Sequence, residues 1–261
     1  EGRKAAGGQV DGVWNRIRKR ADDFAEGYGA GRGSSKPEKG FKEPKVEAVY
    51  IAVLHNVHFP LMMEALEHGK HVLAEKPITF NSRKLKEAEK LAGEKGLILA
   101  EAMTIWHMPL YKELWKRLDQ GEFGKAQIIT ANFGSFREYD MTSRFFSMDL
   151  SGGALLDIGV YAISAARSFM GGSPSGVKSH MRRAASGVDE QSVILMWNPE
   201  GQMASISLSL HSKQPKRVMI SCEKAYIEIM DYPRGTKAVI TDAQTGEKQE
   251  IEAGDEKNAL F

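Results

Sequence analysis

The sequence predicts an α/β protein in two parts: a partial parallel sheet wound with helices, followed by an α+β unit built on a large, mostly antiparallel sheet. Three observations predict this. From Val46 to Gly121, short apolar runs alternate with helical stripes, the rhythm of a parallel sheet with right-handed crossovers. After Gly124 strand follows strand, with turn chemistry between them. The length, 261 residues, suits two medium domains at ~100–200 residues each. The boundary falls in the stretch Met103–Pro109, giving a first unit of 1–104 and a second of 105–261.

Each element has its own signal. Val10–Trp14 is a short strand candidate. Ala21–Tyr28 is helical, with Phe24 and Tyr28 on one face. Gly29–Gly40, rich in Gly, Ser, Lys and Pro, reads as a loop. Val46–Leu54 is apolar without clean alternation, as in a strand buried on both faces. Pro60 suits the first turn of a helix over Leu61–His68, closed by Gly69. His71–Ala74 is the next strand. Asn81 or Ser82 caps a helix through Lys95, whose stripe is Leu85, Ala88, Leu91 and Ala92. Leu97–Ala100 is a third strand, and Pro109 opens a helix to Gln120. Then come a strand at Ala126–Phe133, one helix over Gly153–Met170, and strands at Gly176–Ala184, Gln191–Trp197, Met203–Leu210, Arg217–Cys222, Ala225–Met230, Lys237–Thr241 and Lys248–Ile251.

Composition narrows the function. With 42% hydrophobic residues the chain has ample surface to bury, which excludes disorder as its main state. A formal net charge of +2 gives no reason to expect a nucleic-acid partner. One cysteine, Cys222, excludes an internal disulfide and fits a reducing compartment. No apolar run reaches the ~18–20 residues of a membrane helix, and Glu1 onward lacks a signal-peptide core. The expectation is a soluble, cytoplasmic protein.

In open α/β sheets, ligands sit beyond the carboxyl ends of the strands. Here those ends supply Leu54, His55, Asn56 and His58; then Glu75, Lys76 and Pro77; then Glu101, Ala102 and Met103. Pro77 restricts Lys76 to extended geometry and so aims its ammonium; a solvated lysine at a strand end is the plain alternative. His55 and His58 form an H-x-x-H pair, but without nearby Cys or a HExxH helix they read as pocket-lining or surface histidines rather than metal ligands. A second group lies in GGALLDIGVY, residues 152–161. Its paired glycines permit close approach to the backbone. Asp157 and Tyr161, four apart, share a helix face. A phenol is a poor acid or base near neutrality unless a cation such as Lys76 lowers its pKa. A structural carboxylate and a half-buried aromatic are the plain readings of this pair.

Together, VEAVYIAVLHNVHFPLMMEALEHGKHVLAEKPI and GGALLDIGVYAI resemble the glucose–fructose oxidoreductase / inositol dehydrogenase (Gfo/Idh/MocA) family, over nearly the whole chain. The resemblance implies a partial Rossmann domain and an oxidoreductase that moves hydride between NAD or NADP and a sugar, polyol or dihydrodiol-like alcohol or carbonyl. Where many members carry a histidine four residues after the aspartate, Tyr161 stands here, as in dimeric dihydrodiol dehydrogenases, some aldose dehydrogenases and glucose–fructose oxidoreductase itself. By that analogy Tyr161 donates and accepts the proton, Lys76 tunes it and binds substrate oxygen, and Asp157 orients the substrate. The same resemblance assigns the cofactor to Asn15, Arg16, Leu54, His55, Asn56, His58, Glu75, Lys76 and Ala102. Arg16 leans toward NADP through charge on a 2′-phosphate. No metal and no membrane or nucleic-acid partner is expected from composition and spacing, and the resemblance implies a homodimer or higher oligomer formed on the second sheet. The loop Phe136–Arg144 is expected to set substrate choice. The family's G-x-G-x-x-G turn is not in the sequence, and on this reading the chain starts inside the helix that follows that turn and ends early, at Phe261. Two other classes compete: a non-redox sensor of the same fold, which has no need of a tuned proton donor, and a hydrolase that retains NAD.

Overall fold

The computed structural model describes residues 9–255. They form two compact units that divide between Ala102 and Met103.

The first unit holds two small parallel sheets. In one, β1 (Val13–Trp14) pairs with β2 (Gly33–Ser34), joined by helix α1 (Arg18–Tyr28). Phe24 and Tyr28 stack on α1 with ring centroids 4.4 Å apart, as their spacing requires. The stretch Gly29–Gly40, expected as loop, instead contains β2 and the start of a short helix, α2 (Glu38–Phe41). No side-chain pattern marks β2, because backbone alone makes it: Val13 N–H donates to Arg32 O at 2.9 Å and Asn15 N–H to Ser34 O at 3.0 Å.

The other sheet has the order β3 (Ala48–Ile51), β4 (His71–Ala74), β5 (Leu99–Glu101). Its register aligns Ile51 with Ala74 and Ala74 with Glu101, so the three strands end level. Helices α3 (His58–Glu67) and α4 (Ser82–Glu94) connect them. The Asn81 side chain accepts from the N–H groups of Arg83 and Lys84, which fixes where α4 begins. Met62, Ala65, Leu66, Ala88 and Ala92 pack on Ile51, Val72 and Ala74. Burial of β3 on both faces is not what the fold delivers: Tyr50 is 58% and Leu73 42% exposed. Successive right-handed crossovers in one direction place both helices on the same face, and Tyr50 and Leu73 point the other way.

The second unit opens with α5 (Pro109–Asp119), which starts on its proline. Eight strands follow: β6 (Ala126–Gly134), β7 (Gly176–Arg183), β8 (Asp189–Trp197), β9 (Met203–Ser209), β10 (Gln214–Cys222), β11 (Ala225–Met230), β12 (Lys237–Asp242) and β13 (Lys248–Glu252). Their order is β13-β12-β11-β10-β6-β9-β8-β7, antiparallel except where β6 runs parallel to β9. The inner face (Ile129, Ala131, Ile194, Ile206, Val218, Ile227) packs against Ala162, Ala165 and Ala166 of helix α6 (Val160–Ser168). On the outer face one cross-strand row runs Trp197, Met203, Ile128, Ser221, Tyr226, and Val193, Leu195 and Met230 are exposed beside it.

The single helix expected over Gly153–Met170 is shorter and begins differently. Residues Leu155–Gly159 form a π-helical turn before α6 takes over. Such wide turns need local anchors, since they hold themselves poorly.

Candidate active site

The segment that carries Lys76 lies directly after β4 and has no secondary structure of its own. Four contacts fix it. The Tyr50 hydroxyl donates to the Glu75 carboxylate. The second Glu75 oxygen accepts the Lys76 N–H at 3.2 Å. Glu101, at the end of β5, accepts the Ile78 N–H at 2.8 Å. From beneath, His58 Nδ1 sits 3.0 Å from the Pro77 carbonyl. The Lys76–Pro77 peptide bond is cis. Burial raises the Glu101 carboxyl above the usual carboxylate range, against the opposing pull of the Ile78 N–H and the Lys76 charge.

His58 occupies a different place from the one expected. It is fully buried, and its Nε2 lies 3.1 Å from the Val53 carbonyl. With one ring nitrogen on the loop after β3 and the other on the loop after β4, it ties two strand ends together from below. It therefore presents no ring nitrogen to a cofactor, and none to a metal. His55 stands edge-on to it, centroids 5.7 Å apart, in the 3₁₀ turn His55–Val57 that also holds Asn56. Among the described residues, no group of three or more His, Cys, Asp or Glu is placed to hold a metal ion. At the end of β1, Asn15 Oδ1 accepts the Ile17 N–H at 2.9 Å, and Arg16 follows it on the exposed surface. These positions suit a dinucleotide: an exposed guanidinium past one parallel strand for a ribose or its phosphate, and Leu54, Asn56, Lys76 and Ala102 past the level ends of three others.

In the second unit, the glycine pair meets its own chain. A Cβ on Gly152 would lie 2.6 Å from Phe145 O, and one on Gly153, at φ +114°, 2.3 Å from Asp189 Oδ1. Gly152 is demanded by close approach of the Phe145 backbone, and Gly153 by the Asp189 carboxylate and its own positive φ. Asp189, at the start of β8, accepts the Leu155 N–H at 2.9 Å and the Ser192 hydroxyl at 2.7 Å on one oxygen. Asp157 follows in the π turn, half-buried, with its Oδ1 3.8 Å from Arg144. That guanidinium and the one of Arg137 each lie 4.3 Å from the Phe145 ring centroid. Tyr161, one residue into α6, packs its ring 6.3 Å from that of Phe133, over which the Lys216 ammonium sits at 5.4 Å. A carboxylate and a phenol on one helix, with cations close by, can hydrogen-bond an alcohol and carry its proton.

A parallel unit with polar groups at its strand ends, joined to an open-sheet unit with an acid–phenol pair, defines a dinucleotide-dependent enzyme of two-unit design. The oxidoreductase family with an NAD-binding Rossmann fold matches residues 2–103, and the GFO/IDH/MocA C-terminal domain matches residues 111–228. The chain belongs to the Gfo/Idh/MocA family of oxidoreductases. It is 30% identical over 246 residues to the trans-1,2-dihydrobenzene-1,2-diol dehydrogenase of Mus musculus, covering 93% of this chain and 72% of that protein. The rabbit (Oryctolagus cuniculus) enzyme of the same name is 31% identical over 85% of this chain and 68% of its own length. In fold, it is similar to a 3-ketoreductase from Actinomadura kijaniata crystallised with NADP and TDP-benzene, at a TM-score of 0.85, 24% identity, and coverage of 97% of this chain and 79% of that one. The UDP-N-acetylglucosamine 3-dehydrogenase of Acidithiobacillus ferrooxidans gives a TM-score of 0.82 at 19% identity, over 99% and 80% of the two chains. The protein is an NAD(P)-dependent oxidoreductase.

Sequence reading did not find Tyr50, Asp189 or the inward role of His58. Tyr50 reads as one more apolar strand residue, and Asp189 lies 34 residues from the amide it caps. Only the fold brings those partners together. Replacing His58 by alanine orphans two carbonyls and leaves a cavity, so the unit should lose about 2–4 kcal/mol of stability. Urea unfolding measures this, and a loss below about 1 kcal/mol would show that the ring does not tie the loops.

Proposed function

We propose that the protein transfers hydride between NADP(H) and a sugar, polyol or dihydrodiol-like alcohol or carbonyl. The observation that carries this reading is the Lys76 segment, held after β4 by Glu75, Glu101 and His58, in a chain of this family; the family analogy adds Asp157 and Tyr161 of the second unit. When bound, the nicotinamide supplies the redox step. The chain's residues do the rest. Tyr161 takes the proton from an alcohol, or returns it to a carbonyl oxygen. Lys76 hydrogen-bonds the same oxygen and favours the phenolate by its charge. Asp157 orients the substrate hydroxyl, with the Arg144 guanidinium 3.8 Å from its Oδ1. Asn15 and Arg16 hold the adenosine ribose and its 2′-phosphate. Leu54, His55, Asn56, Glu75 and Ala102 line the way to the nicotinamide.

The curated relatives are named for a dihydrodiol and one structural neighbour for a nucleotide sugar, which is why the class is drawn this broadly. The loop 136–144 then chooses among them. We further place two copies face to face on the outer side of the second sheet. The exposed row from Trp197 to Tyr226 offers the flat apolar area that a stable homodimer buries. The single cysteine, with its thiol pushed up to about 11 by burial and therefore inert, suits a cytoplasmic setting.

Three measurements test this. Tyr161→Phe should lower turnover by ~10²–10⁴, the span of a lost general acid or base, with cofactor affinity kept; turnover near wild type would remove Tyr161 from the proton path. Arg16→Ala should raise the KM for NADPH about 10–100-fold, the worth of a charged hydrogen bond, and leave that for NADH alone. Leu195→Asp should halve the mass seen by sedimentation. A full-length protein that binds NADP(H) and turns over no aldose, polyol or dihydrodiol would instead favour the sensor reading.

A further inference from the structure

We propose that Asp189 is a positioning residue, the clamp that sets the π turn and through it the placement of Asp157 and Tyr161. The inference rests on the hydride-transfer reading of those two residues. Three independent features converge on this carboxylate. Its Oδ2 accepts the Leu155 N–H at 2.9 Å, at the first residue of the turn. The same oxygen accepts the Ser192 hydroxyl at 2.7 Å, which anchors it to β8. Its Oδ1 occupies the space of a Gly153 side chain, 2.3 Å from where a Cβ would stand. The turn is thus pinned to the sheet at its first peptide, and Gly153 is emptied to let the pin in.

The first amides of a helix have no partner within it, and Leu155 stands at such a start. Here the cap comes from a strand: Ala154, just before the turn, gives it no side-chain cap, and Asp189 of β8 accepts the Leu155 N–H. Burial raises the Asp189 carboxyl above its usual range, so the charge is held at a cost that its fixed bonds offset only in part. A group kept under that cost, two residues of chain from Asp157 by way of Leu155, does more than fill the core.

The test compares Asp189→Ala, Asp189→Asn and Gly153→Ala in the full-length protein. Hydrogen exchange across residues 153–161 is read without substrate or cofactor. In Asp189→Ala and Gly153→Ala, the Leu155 amide should exchange about tenfold faster or more, the factor that loss of one buried bond gives. Asp189→Asn keeps a carbonyl acceptor and should restore protection. Per folded molecule, kcat should fall by about 10²-fold in the first two variants, the cost of ~1 Å of misplacement, with the KM for cofactor unchanged, and recover most of the way in the asparagine variant. Unchanged exchange at Leu155, or an asparagine variant as poor as the alanine one, would overturn the proposal. If Asp189→Ala does not fold, Gly153→Ala against Asp189→Asn decides it. Wild-type protein without turnover, but with the expected exchange pattern, would sink the hydride-transfer reading and leave the clamp standing.

Discussion

The imidazole of His58, shut between the carbonyls of Val53 and Pro77, is the constraint on which the first unit's functional face depends. A parallel sheet ends in loops that carry the chemistry and have no ladder to hold them. Three strands stopping level at Ile51, Ala74 and Glu101 define a rim, but a rim of loose loops cannot aim a lysine. One ring beneath the surface joins two of those loops, and Glu101 brings in the third strand through the Ile78 N–H. Its two ring nitrogens lie in one rigid plane, 3.0 Å from the Pro77 carbonyl and 3.1 Å from that of Val53, so a single side chain reaches both loops.

The second unit solves the same problem by another route. Its candidate residues stand on a helix, yet that helix begins with a wide turn that cannot stabilise its own first peptide. A buried carboxylate on a neighbouring strand does so instead. In both units a group that would meet substrate sits on irregular backbone, Lys76 after β4 and Asp157 in the π turn, and a fully buried or half-buried polar side chain from elsewhere in the unit fixes that backbone. Rigid supports beneath irregular, reactive segments are what transition-state geometry requires.

This division explains what was legible. Element positions follow from local signals: the Asn81 cap, Pro109 at a helix start, the alternation Val193, Leu195, Trp197 against Ile194 and Met196. The contact of Phe24 with Tyr28 follows from helical spacing alone. The strand ends follow from topology, so Lys76 could be named from order in the chain, whereas Asn15 and Arg16 come only from the family resemblance. The pair β1–β2 could not, because Gly33–Ser34 pairs through backbone and carries no apolar pattern. Nor could the inward turn of His58, since H-x-x-H at a helix start looks the same whether the second ring faces the pocket or the core. Exposure of Tyr50 depends on both helices landing on one face, a fact of handedness rather than of composition.

Glu101 and Asp189 show why these supports resist discovery by stability arguments. Each has a carboxyl pKa raised by burial. A raised acid binds its proton more tightly in the fold than in the unfolded chain. Its contribution is therefore most favourable below the unfolded pKa, and declines as pH rises from there to the folded value. At neutral pH the ionised carboxylates are held against that preference, and an apolar residue of similar volume would leave the Ile78 and Leu155 amides without acceptors. What the carboxylates supply is an acceptor at a fixed point: for the Ile78 amide beside Lys76, and for the Leu155 amide ahead of Asp157. Selection for packing would remove both groups. Their half-buried positions follow from the geometry of the backbone they hold.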